Sequence, residues 1–151
     1  MTRSTRDHGG VSIMVAICMV AVVMFIGLSV DGSGRLRDSQ LAKEYAAEAA
    51  RAGGQKIDLQ SAIAGNPAVL DSTPPCLGCP LPYVKAANDY LRSAAAEDGV
   101  TIDNVTVVAQ DSHTLTVTVT IDYSPRLLNL FGYTKPMQAT GSATVVLVTT
   151  L

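Results

Sequence analysis

Between Val11 and Val30 the chain reads VSIMVAICMVAVVMFIGLSV, twenty residues without a charge, closed by Asp31. As a helix, this stretch is about 30 Å long, the thickness of a bilayer's hydrocarbon core. A core helix of a soluble protein that long needs a polar face, and here only Ser12 and Ser29, near the ends, are hydroxylic. The stretch is therefore read as a membrane span. A cleaved secretory signal fits less well, because its apolar segment runs about 7–15 residues and ends at a small-residue site.

The rest of the chain divides around that span. Residues 1–10 are read as a cytoplasmic N-terminal tail, 11–30 as the transmembrane helix and 31–151 as an extracytoplasmic α+β domain. Charge alone does not orient the span: Arg3 and Arg6 precede it, while Arg35, Arg37 and Lys43 follow. The outward placement rests on the shape of the chain: a ten-residue head, one span, then a segment large enough to fold that carries paired cysteines. The expected location is the cell membrane, single-pass.

After the span, Gly32 and Gly34 flank Ser33, predicting either a hinge or the cap of a second helix. From Arg35 to Ala52 the pattern is helical. Leu41, Ala42, Tyr45, Ala46, Ala49 and Ala52 form one apolar stripe, and Gly53-Gly54 supplies a stop. The alanine-rich stripe suits close approach, either to the domain's own core or to a partner helix. Residues 55–82 read as irregular, with a turn at Gly65-Asn66-Pro67. Pro82 then suits the first position of a helix ending near Gly99, with Val84, Ala87, Leu91 and Ala94/Ala95 on one face.

The C-terminal third alternates every second residue over 105–109, 114–123 and 137–149. In the second run Leu115, Val117, Val119, Ile121 and Tyr123 point one way and four threonines and Asp122 the other. That is the pattern of a half-exposed antiparallel sheet. Asp111-Ser112 predicts a hairpin turn. Between the second and third strands, Leu127, Leu128, Leu130 and Phe131 predict a helical turn that caps the core or meets a neighbouring protein. The expected fold is α+β: an N-terminal transmembrane helix continuing into an amphipathic helix, then a helix plus a three-stranded antiparallel sheet.

The residues give little sign of catalysis. His8 and His113 are the only histidines, and no nucleophile, metal or phosphate-binding motif occurs. No catalytic, cofactor-binding or metal site is expected, and the chain is read as non-enzymatic. A net charge of −2 without a basic cluster argues against nucleic acid as a partner. Asn104-Val105-Thr106 matches a short glycosylation pattern. Cys76-Leu77-Gly78-Cys79 is the one motif with chemistry. The prolines at 74, 75, 80 and 82 oppose the helix N-terminus a redox cysteine needs, so a structural disulfide is favoured over reduced or redox-active thiols. Cys18 lies within the span.

The Arg-Asp-x-Gly-Gly head, the span ending in Val30-Asp31-Gly32, the Gln40-Leu41-Ala42 entry into AAEAARAGG and the YSPRLLNLFG connection resemble TadE/TadG-type proteins. These are pilin-like components of the tight-adherence (Flp, type IVb) pilus assembly system, here in an actinobacterial form. The resemblance implies a pilin-like fold and a minor pilin or assembly factor without enzymatic activity. It also implies the lipid bilayer and other pilin-like or pilus-assembly proteins as partners, with homo- or hetero-oligomers. Some members are cut after a glycine and carry a glutamate five residues beyond it. On that pattern cleavage would fall between Gly10 and Val11, and Val15 stands where the glutamate would be, closer to the uncleaved TadG-like members. The other class compatible with the residues is a signal-anchored extracytoplasmic binding or sensor domain unrelated to pili.

Overall fold

The structure is a computed structural model and describes residues 9–124, 132 and 135–148. Its dominant element is one unbroken helix, α1 (Gly9–Gly54), of 46 residues and about 69 Å. The expected hinge at Gly32-Ser33-Gly34 is absent. Ser33 caps nothing; its hydroxyl donates back to the Val30 carbonyl at 2.8 Å, which satisfies it inside the helix. Gly34 leaves room for the Tyr123 ring. A Cβ there would sit 2.5 Å from the Tyr123 hydroxyl. Each glycine costs a helix about 1 kcal/mol relative to alanine, and the packing of the following three turns against the sheet outweighs that cost.

Helix α1 changes surroundings along its length. From Val11 to Val30 the large apolar side chains are bare, Phe25 being 73% exposed and Met14 69%. From Ala42 onward one face is sealed: Ala42, Tyr45, Ala46, Ala49 and Ala50 are buried. Gly53 and Gly54 end the helix as expected, and both also pack, a Cβ on Gly53 falling 2.6 Å from the Leu115 side chain.

The segment expected to be irregular holds a short helix, α2 (Leu59–Ile63). Asp58 caps it, accepting the Gln60 N–H at 2.9 Å and the Ser61 hydroxyl at 2.9 Å. The Ser61 bond leads in holding the Asp58 carboxyl below its usual range, ahead of the backbone bonds. An isolated antiparallel bridge between Ile57 and Leu70 closes this excursion. A five-residue helix is too short to show the apolar period, and none of its side chains is buried.

Helix α3 (Pro82–Asp98) starts with proline at its first turn and ends at Gly99, whose φ of 65° is the left-handed conformation glycine adopts freely. Its buried face is Tyr83, Ala87 and Leu91, so Tyr83 takes the interior place expected of Val84, which is half-buried. Helix α3 runs antiparallel to α1, with Tyr83 and Ala87 beside Gly53 and Asp98 beside Tyr45.

The strands β1 (Ile102–Ala109), β2 (Thr114–Tyr123) and β3 (Met137–Val146) form an antiparallel sheet in the order β1-β2-β3. Strand β2 matches its expected bounds. Strand β1 starts three residues earlier, because a bulge between Ile102 and Asn104 breaks the alternation that marks a strand. Strand β3 stops three residues short of the expected end. The leucine- and phenylalanine-rich connection at Leu127, Leu128, Leu130 and Phe131 lies outside the described residues.

Helices α1 and α3 cover one face of the sheet. Leu115, Val117, Val119 and Ile121 meet the alanine stripe, and the layers approach closely at Gly141, where any Cβ would overlap the α1 backbone at Ala42 and Lys43. The other face is hydroxyl-rich and open. Thr116 pairs with Thr144 at 2.9 Å and Thr120 with Thr140 at 3.3 Å across β2 and β3.

Candidate functional site: the membrane helix and the cysteine-loop groove

The first half of α1 is long and apolar enough to cross a membrane. Its upper boundary is built with care for charge. Asp31 is 4% exposed and accepts the Tyr123 hydroxyl at 3.4 Å. A carboxylate at the edge of hydrocarbon is expensive unless hydrogen-bonded, and here the end of β2 closes over it. The same contact brings the sheet to within one helical turn of the span. Gly10 and Val11, which would flank the cut if the chain were processed, lie in the first turns of α1, with Val11 68% exposed and Val15 50%.

Cys76 and Cys79 are joined as a disulfide, their Cα atoms 5.2 Å apart. The Cys79 N–H donates to the Cys76 carbonyl at 3.1 Å, a tight turn that needs the φ of 85° at Gly78. Helix α3 begins six residues after Cys76, so no helix dipole acts on that sulfur. Leu77 at the tip is fully solvated. The pair therefore stiffens a loop, and Cys18 is exposed on the span.

Against this loop lies a groove of about 830 Å³. Pro75, Cys79 and Pro80 form one wall, and α3 forms the other. Leu91, Val100, Ile102 and Val105 make an apolar floor beneath the edge of β1. Lys85, Asp89 and Arg92 stand along the rim. The sole ion pair among the described residues is Glu48 with Arg51 on α1, at 3.3 Å, so the rim charges are not spent on one another. Sequence reasoning missed this groove because its residues come from three separated segments.

Two further polar features brace the domain. The Tyr45 hydroxyl donates to Asp98 at 2.5 Å, tying α1 to the end of α3; burial first, then this bond, push the phenol up to about 12. In the β1–β2 turn Asp111 accepts the His113 N–H at 2.7 Å, which leads in holding its carboxyl below the usual range. His113 is half-buried, and its ring nitrogen pairs with Ser112. Among the described residues no three metal-ligating side chains converge. Asn104 of the glycosylation pattern is exposed on the open face of the sheet.

These features define a class: a chain in which one membrane-length helix continues without a break into a small α+β domain. Comparisons with protein-family models, with curated proteins and with solved structures each return no match.

Proposed function

We propose that this chain is a non-enzymatic, single-pass membrane protein of TadE/TadG type, a minor pilin or assembly factor of a Tad/Flp-like pilus. On this reading the domain faces outward and contacts other pilus components. The observation that carries the reading is α1: bare and apolar over its first half, then laid without interruption on a three-stranded antiparallel sheet. Such a helix transmits position from membrane to domain, which a component placed among neighbouring subunits needs and a tethered enzyme does not.

The span carries no carboxylate at Val15, and Asp31 is already engaged with Tyr123. The helix is therefore read as an anchor more than a polymerising element. N-terminal sequencing of the mature protein separates the two fates: a retained tail is expected, and a start at Val11 would mark a processed subunit. Deleting the gene is expected to abolish or shorten surface fibres; unchanged fibres and adhesion would sink the pilus reading. The groove beside the disulfide favours one second reading, a membrane-anchored binding domain without a pilus role.

A further inference from the structure

The open edge of β1 and the groove beneath it belong together. The Gln110 N–H donates to the Thr114 carbonyl at 2.9 Å. In an antiparallel ladder the main-chain groups of alternate residues point to the same side. Gln110, Val108 and Thr106 therefore bond to β2, while the N–H and C=O groups of Ala109, Val107 and Val105 point out of the sheet. Nothing pairs with them among the described residues. The bulge near Asp103 blunts only the first turn of this edge. From Val105 to Ala109 the register with β2 is regular, and the outer edge is unpaired among the described residues.

That edge and the groove meet at Val105, and the groove there has an apolar floor, with two cations, Lys85 and Arg92, against one anion, Asp89. An added strand would place every second side chain on the groove side of the sheet. An apolar residue would meet Val105 and Ile102, both half-buried, and a carboxylate would meet Arg92 or Lys85.

The obvious alternative occupant is β1 of a second copy, paired about a two-fold axis. The anchor excludes it, a step that rests on the membrane reading above. The axis relating two antiparallel strands of one continuous sheet is perpendicular to that sheet. It would reverse α1, which lies along the sheet from Tyr123 beside Gly34 to Leu115 beside Gly53. The two spans would then point in opposite directions and could not share a bilayer.

We propose that the β1 edge and the adjoining groove receive an extended, acidic segment of another protein as a fourth strand. Main-chain bonds to Val105, Val107 and Ala109 hold the segment, and Lys85 and Arg92 select its carboxylates.

The test uses the full chain in nanodiscs and a fluorescein-labelled decapeptide that alternates valine and threonine and ends in two aspartates. Fluorescence anisotropy is expected to give binding at least ten-fold tighter than for the same peptide ending in two lysines. The double variant Lys85→Glu/Arg92→Glu, both exposed positions, is expected to reverse that preference. N-methylation of alternate peptide amides is expected to abolish binding in one register and spare it in the other. Equal affinity for the two peptides, insensitivity to the charge exchange, or indifference to N-methylation in both registers overturns the proposal. So does a self-associated form of the chain in nanodiscs that excludes the peptide. None of these readouts depends on whether fibres form, so the pilus reading stands or falls separately.

Discussion

The two halves of α1 share one backbone geometry and almost nothing else. Before Asp31 the helix is covered by Val, Ile, Met and Phe on every side, all exposed. After Gly34 its buried face is alanine and glycine, with Tyr45 the one large side chain. The large residues are bare and the small ones are sealed, the reverse of an ordinary core helix. The physical reason is the partner. Lipid tails fill space around any side-chain shape, so bulk is unconstrained in the first half. A sheet already crowded with Leu115, Val117, Val119 and Ile121 leaves room only for a thin helix face, and the second half supplies one.

Four changes break or sharpen that contrast, beginning with the most damaging. Gly141→Leu forces a side chain into the α1 backbone at Ala42 and Lys43. Overpacking of a core typically costs about 1–3 kcal/mol and sometimes more. Here backbone rather than a rotamer must yield, so a loss of more than about 3 kcal/mol is expected in urea unfolding. A variant as stable as the parent would show that the helix does not rest on the sheet at this point.

Val20→Arg attacks the other half. A charge at the centre of a span costs about 2.5–3.5 kcal/mol on insertion. Membrane fractionation is expected to show less integrated protein, while urea unfolding of the α+β domain stays unchanged. A matching loss of domain stability would mean that the two halves are not independent in their energetics.

Removing the disulfide with Cys76→Ser/Cys79→Ser acts far from both halves. Closing so short a loop is worth about 2 kcal/mol in the chain-entropy model. A drop in Tm of roughly 5–10 °C is expected, equal to that produced by adding reductant to the parent. A larger change in the double variant than in the reduced parent would point to a role for the sulfurs beyond stiffening.

Tyr45→Phe is the mildest of the four. It removes the bond to Asp98 and keeps the ring, for a loss of about 1.5 kcal/mol, the low end for a bond to a charged group. Its signature is pH. The Tyr45 phenol lies at about 12 in the folded protein against an ordinary 10, so the folded state favours the protonated form. Its contribution is complete below pH 10 and is lost as pH rises from 10 through 12. The parent is therefore expected to lose stability over that window by more than the phenylalanine variant. Parallel pH profiles would remove the phenol from the account.

Much of this was legible in one dimension. The span is a matter of composition and length, β2 of strict alternation, and α3 of proline at one end and glycine at the other. The stripe from Leu41 to Ala52 was visible as an apolar face, though not what it meets; the structure buries its Ala42, Tyr45, Ala46 and Ala49 and leaves Leu41 and Ala52 half-buried. Other features were illegible for identifiable reasons. The glycines at 32 and 34 look like a hinge because local propensity penalises them, yet Gly34 is there to admit Tyr123 from the far end of the chain. Helix α2 is too short to carry a period, and the bulge at the start of β1 hides the first residues of that strand. The groove was invisible because Pro80, Arg92 and Val105 meet only after folding.

The residues alone determined that this chain carries a membrane-length helix and an α+β domain, since hydrophobic length and period are local properties. They also marked Cys76 and Cys79 as a pair, since spacing and flanking prolines are local too. Only the tertiary structure decided that membrane helix and domain helix are one rod. Continuity through two glycines depends on what packs beyond them, and that packing partner is contributed by residues about ninety positions away. It likewise decided that Asp31, which on paper merely ends the span, is covered by Tyr123. The sheet is thereby held at the membrane end of the rod, with its β1 edge and groove left open.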